Sequence, residues 1–123
     1  MYAEDIKKIT KDNTNFRTVL HTGEHSQIVA MSIPVGGDIG EEVHETTDQM
    51  LFFVEGEGEA ILNGETRKVK EHDVVFVPAG AKHNFKNISN DALKLFTVYA
   101  PAEHLDGTVH KTKADADIAE SKE

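Results

Sequence analysis

Apolar and polar positions alternate in short runs along the chain. They predict eight β-strands, at 17–21, 27–33, 49–55, 59–62, 66–69, 73–77, 83–87 and 93–99. Residues two apart on a strand share a face. In the last run Leu93, Leu95 and Thr97 oppose Lys94, Phe96 and Val98, so one face is partly polar at its start. In 27–33 the alternation is weak: Ile28, Ala30 and Ser32 oppose Val29, Met31 and Ile33, which predicts cover on both faces. Breakers separate the runs. Asn63-Gly64 predicts a tight hairpin, because a type I′ turn needs positive φ at both central residues. Gly56 and Gly58 lie between the runs 49–55 and 59–62, and Pro34 to Gly37 and Pro78 to Gly80 mark loops.

Strands at this spacing predict an all-β sandwich or barrel. The expected organisation is a single domain over 1–123, with the barrel at about 17–100, a polar N-terminal segment at 1–16 and a C-terminal extension at 101–123. Residues 5–15 read as irregular or as a short turn of helix. Residues 111–123 read as a frayed helix or a disordered tail.

The bulk numbers narrow the function. The chain has 123 residues, 38% apolar and 28% charged, the composition of an ordinary soluble domain. No apolar run reaches the ~18 residues of a membrane span. The first ten residues lack an apolar stretch and carry Glu4 and Asp5, unlike a signal peptide, so a cytoplasmic location is expected. Cysteine is absent, which removes disulfides and thiolate chemistry. The net charge is −9 with no basic stripe, so no nucleic-acid partner is expected.

Seven histidines invite a search for a metal site. Glu42 and His44 are one residue apart and share a face on an extended segment. Gln49 heads one strand-like run and His83 heads another. Two imidazoles, one carboxylate and one amide oxygen form a hard-to-borderline donor set. On spacing alone the bland reading is favoured, in which each histidine is merely solvated or hydrogen-bonded.

A resemblance alters that balance. Gly36, Glu42, His44, Gln49 and Gly56 fall on the spacing of the first cupin motif, G-x5-H-x-H-x3–4-E-x6-G. His72, Pro78, Gly80, His83 and Asn87 fall on the second, G-x5-P-x-G-x2-H-x3-N, with His72 where the motif has glycine. The chain resembles a small cupin over residues 27–100. The resemblance implies a jelly-roll barrel, the double-stranded β-helix of RmlC-like proteins. It also implies one divalent metal (Zn, Ni, Mn, Fe or Co) on Glu42, His44, Gln49 and His83. The usual three His and one Glu become Glu, His, Gln and His. The carboxylate changes position, but the formal site charge of +1 is kept. Phosphomannose isomerases of this superfamily use a similar set with Gln and Glu in the opposite order.

The expected function is therefore metal-dependent chemistry on a small, oxygen-rich, sugar-like ligand in the barrel, of isomerase type. The alternatives are a dioxygenase, using His44, His83 and Glu42 as a two-His-one-carboxylate triad, and a non-catalytic ligand-binding cupin. Lys82 and Lys86 are the nearest candidates for a phosphate clamp. His104, His110 and Tyr99 are weaker candidates for proton transfer. The C-terminal extension is either a lid carrying a histidine or, the favoured reading, a solvated loop. Asp48 is a candidate partner for a ligand histidine. Phe52, Phe53, Phe76, Phe85, Phe96, Met31 and Met50 are expected in the barrel interior or on an oligomer face. A homodimer joined through 17–33 is expected.

Overall fold

The computed structural model describes residues 1–121. In chain order the elements are α1 (Ile6–Asp12), β1 (Arg17–Thr22), β2 (Gln27–Ile33), β3 (Glu42–Val43), β4 (Asp48–Glu55) and β5 (Glu57–Leu62). There follow β6 (Glu65–Lys70), β7 (Val74–Val77), β8 (Lys82–Asn87), β9 (Leu93–Ala100), β10 (Val109–His110) and α2 (Lys113–Ser121). A six-stranded sheet, in order β10-β1-β2-β9-β4-β7, faces a four-stranded sheet, β3-β8-β5-β6. All pairings named here are antiparallel. The all-β jelly-roll expectation holds.

The core lies between the sheets. Val29, Met31, Ile33, Leu51, Phe53, Leu93 and Leu95 come from the large sheet, and Ala60, Val69 and Phe85 from the small one. Cross-strand register sets which of them share a row. Gln27, Tyr99, Gln49 and Val77 form one row, and Val29, Thr97, Leu51 and Val75 the next. Strand β2 is covered on both faces, as its weak alternation predicts. The aromatic and methionine positions split. Met31, Phe53 and Phe85 are buried, whereas Phe76 is exposed and Phe52 stacks on Phe96 with ring centroids 4.8 Å apart on the outer face.

Local chemistry explains the helix that the polar pattern only half predicts. The Asp5 carboxylate accepts from the Lys8 amide at 3.1 Å and caps α1. Lys94 reaches across to donate to the carbonyls of Lys11 and Asn13, capping its other end. Asn63 and Gly64 take φ values of 47° and 84°, as the hairpin requires. Strands β3 and β10, of two residues each, are too short to leave a pattern. β10 pairs with Arg17 and Thr18 at the outer edge of β1, and β2 lies inside the sheet between β1 and β9.

Two second-motif positions act on stability. Asn87 is buried and ties three segments: its amide donates to the carbonyls of Ile33 and Asp91, and its oxygen accepts from Ser89. Removing it takes the side-chain donor from the buried Ile33 carbonyl and breaks the link to Ser89, so Asn87→Ala should cost about 1–3 kcal/mol in urea unfolding, and a loss within error of zero would refute the tie. His72 holds φ at 77° with its side chain in solvent. A left-handed conformation costs an L-residue about 1–2 kcal/mol, partly offset by the entropy glycine loses on folding. His72→Gly should therefore stabilise the fold by about 0.5–1 kcal/mol, read as a higher urea midpoint.

Candidate functional site

Two rows of side chains meet at one end of the sandwich. Glu42 pairs with His83 across β3 and β8, so both project from the same face of the small sheet. Gln49 and Tyr99 pair across β4 and β9 on the large sheet. His44 follows β3 directly. Its ring centroid lies 5.2 Å from His83 and 5.8 Å from Tyr99. Of the sequence-predicted residues, Glu42, His44 and His83 are thus brought together, and Gln49 lies in the row of Tyr99, whose ring borders His44. Among the described residues, no three His, Cys, Asp or Glu side chains are grouped as a metal ion would require.

The hydrogen bonds fix where protons sit. His83 Nδ1 lies 2.9 Å from the carbonyl of Ala81, which can only accept, so Nδ1 carries the proton and the Nε2 lone pair is free. His44 Nδ1 lies 3.0 Å from Glu103 Oε1, and its Nε2 is 3.4 Å from Glu42 Oε2. Gln49 Nε2 donates to Thr97 Oγ1 at 3.1 Å, and that hydroxyl donates to the carbonyl of Met50 at 2.9 Å. Gln49 Oε1 is left buried without a donor.

A cavity of ≈ 260 Å³ opens beside these residues, lined by Glu42, Val43, His44, Glu103, His104 and Glu120. A larger one of ≈ 330 Å³ between β6 and β7 has no histidine in its wall. Carboxylates dominate the first. Burial pushes the Glu42 carboxyl above its ordinary pKa, helped by Glu120 and Glu103 and opposed by His44 and Arg17. Burial pulls His44 down, but the Glu103 hydrogen bond and the charges of Glu103 and Glu42 outweigh it and the net shift is upward. Glu103 is held below the usual range, first by the His44 hydrogen bond. Its second oxygen accepts from Thr47 at 3.2 Å. Arg17 is 1% exposed, with Nη1 3.2 Å from His110 Nδ1 and 3.5 Å from Glu120 Oε1.

Several expectations change here. Lys82 and Lys86 point to the opposite face of β8 from His83, and Lys82 pairs with Glu41 at 2.8 Å, so neither forms a phosphate clamp in the barrel. Asp48 accepts from the Ala79 amide rather than from a histidine. His104 is no solvated-loop residue. It lies in the cavity wall with its backbone held by the Gln27 amide, and its Nε2 is buried without a partner. His110 serves Arg17. Tyr99 is buried, and burial pushes its hydroxyl far above the range in which it could exchange a proton near neutrality. Sequence reasoning missed Arg17, Gln27, Thr47, Glu103 and Glu120. Their partners are distant in the chain, and only the polarity of the C-terminal extension hinted at them.

Comparison with known proteins follows the same lines. A family model described as a cupin domain matches residues 29–99. YrkC of Bacillus subtilis is 43% identical over 126 residues, covering 97% of this chain and 67% of that protein. The crystal structure of BH2720 from Bacillus halodurans superposes with a TM-score of 0.94 at 41% identity, covering 95% of this chain and 93% of the other. A predicted oxalate decarboxylase from Thermotoga maritima is also similar, with a TM-score of 0.59 at 28% identity over 62% of this chain and 66% of that one. No helix among the described residues is long and apolar enough to cross a membrane.

The setting of His104 makes stability depend on pH. Burial, and next the charge of Arg17, push its pKa from the ordinary 6.5 down to about 3, while Glu103 opposes the shift. The unfolded chain therefore binds this proton more readily than the folded one, and stability rises with pH between those values. The His104 contribution is full above about pH 6.5 and falls as pH drops toward 3. Urea midpoints of wild type and His104→Gln should accordingly converge on acidification from pH 7 to pH 4. A difference that stays constant with pH would contradict this assignment.

Proposed function

The chain belongs to the cupin family, and from that premise we propose that Glu42, His44, Gln49 and His83 hold one divalent metal ion facing a small, oxygen-rich substrate. The observation that carries the reading is Gln49 Oε1, a buried oxygen with no hydrogen-bond donor. Such an orphan costs about 1–3 kcal/mol unless something fills its lone pair. A cation would do so. The proton placement supports the same reading: both imidazoles commit Nδ1 elsewhere, to Ala81 and to Glu103. A carboxylate behind one ligand histidine and a backbone carbonyl behind the other is the usual outer support of a metal-binding imidazole. Glu42 and His44 now contact each other, and a cation would take over that contact.

When bound, the ion would supply a Lewis acid able to polarise a substrate carbonyl. Glu103, held ionised by His44 and lining the cavity, is the base best placed to accept a substrate proton. Aldose–ketose interconversion needs that pair of functions, so an isomerase-type reaction is the reading we favour. One structural relative is a predicted oxalate decarboxylase, which makes decarboxylation of a small oxygen-rich acid the second reading.

Chelator-treated protein titrated with Zn²⁺, Ni²⁺, Mn²⁺ and Co²⁺ should show calorimetric binding and a rise in thermal midpoint, about 2.7 kcal/mol of stabilisation at a hundredfold excess over Kd. Glu103→Gln should weaken binding by about 10–100-fold through looser orientation of His44. Gln49→Leu and His83→Ala should each weaken it further. Metal binding by these variants equal to wild type would falsify the site. Metal-loaded protein should interconvert simple aldoses and ketoses, and CO₂ release from a small dicarboxylic acid would instead favour the second reading.

A further inference from the structure

The cavity beside the proposed metal site has a charge balance that selects its ligand. Three carboxylates line it, Glu42, Glu103 and Glu120. The nearby cation is Arg17, which is fully buried and neutralised by Glu120 at 3.5 Å. His110 Nδ1 accepts from the Arg17 guanidinium, so that nitrogen carries no proton, and burial disfavours a charge on His104. Counting Glu42, Glu103 and Glu120 against Arg17 leaves −2. A divalent ion brings the site to zero, with nothing left over to hold an anion. The lysines that could have supplied positive charge, Lys82 and Lys86, stand on the outer face of the small sheet.

The walls are also almost wholly polar, with Val43 the one apolar lining residue. That excludes an apolar ligand. The volume of ≈ 260 Å³ falls below the usual size of drug-sized sites, which limits the occupant to roughly the size of a monosaccharide. The Glu103 and Glu120 side chains are 31% and 45% exposed, so their carboxylate oxygens are available to a ligand. Carboxylates only accept hydrogen bonds, so the ligand must donate them.

We infer that this pocket takes an uncharged, hydroxyl-rich ligand of monosaccharide size and rejects its phosphorylated counterpart, so that the substrate of the proposed reaction is a free sugar or polyol rather than a sugar phosphate. The inference rests on the metal reading above, because without the divalent ion the cavity keeps its negative balance. A phosphate dianion would face Glu103 and Glu120 with no free cation among the described residues lining the cavity to offset them.

The test uses the full chain loaded with Zn²⁺, with metal occupancy measured first. Calorimetry or ligand-observed NMR then compares D-mannose with D-mannose 6-phosphate. The expected result is saturable mannose binding, with the phosphate at least about tenfold weaker. Glu120→Gln removes one carboxylate and frees the Arg17 charge, so the ratio of mannose to mannose 6-phosphate affinity should shrink or reverse in that variant. If Zn²⁺ itself fails to bind, the metal reading falls and this inference falls with it. If Zn²⁺ binds but the phosphate ester binds as well as mannose, or neither sugar binds, the metal reading stands and the ligand inference is overturned. An unchanged preference in Glu120→Gln would likewise overturn the electrostatic argument.

Discussion

One hydroxyl proton, on Thr97, decides what the centre of this barrel can do. Thr97 gives that proton to the carbonyl of Met50 and can then only accept from Gln49. The Gln49 amide must turn its nitrogen toward Thr97. The flipped amide would set two acceptors against each other and leave a buried NH₂ group without a partner. Oε1 is thereby forced to the other side, where no protein donor meets it. A buried acceptor held in that way is open to a partner such as the proposed cation. The Thr97–Met50 bond lies across the β4–β9 pairing, so the orientation is as rigid as the sheet.

The rest of the site depends on register. A slip of one residue in either sheet would turn every inward side chain outward. Tight turns at the small-sheet end and close packing resist such a slip. At Gly58 an added Cβ would come within 2.9 Å of the Leu93 side chain from the facing sheet and 3.0 Å of the Lys86 carbonyl on the neighbouring strand, so the packing there leaves no room for a side chain. Gln27, in the same row as Gln49, extends this order to the C-terminal segment by bonding the backbone of Glu103 and His104. That bond turns residues far along the chain into cavity wall, and Glu103 into the partner of His44.

The sequence carried the barrel well because strands leave a period-two trace and turns leave Gly, Asn and Pro. The run at 27–33 and the Asn63-Gly64 hairpin appear where the pattern put them. Strands of two residues have no period to read, so β3 and β10 were invisible, and with them the pairing of Glu42 to His83. Motif spacing located Glu42, His44, Gln49 and His83 because each sits at a fixed offset from a turn. Glu103, Glu120 and Arg17 have no such offset. Their role arises from contacts spanning most of the chain, and a polar tail reads the same whether it is solvated or folded against a cavity. No clear phosphate clamp was legible in the sequence, and its nearest candidates, Lys82 and Lys86, have the opposite parity to His83 on one strand.

The moved carboxylate follows from the same geometry. Position 49 is 2% exposed and its hydrogen-bonding neighbour, Thr97, can only accept. A carboxylate there would be desolvated and would find no donor, while an amide satisfies Thr97 and still presents an oxygen. Position 42 is 23% exposed in its side chain and lies beside His44 in the cavity wall, where the imidazole and Arg17 oppose the burial that raises its carboxyl. Keeping one carboxylate in the set therefore favours position 42 over position 49. The consequence reaches the ligand. With the charge in that wall, Glu42 joins Glu103 and Glu120 on the surface that an incoming molecule meets, and the buried Arg17 behind them balances only one of the three.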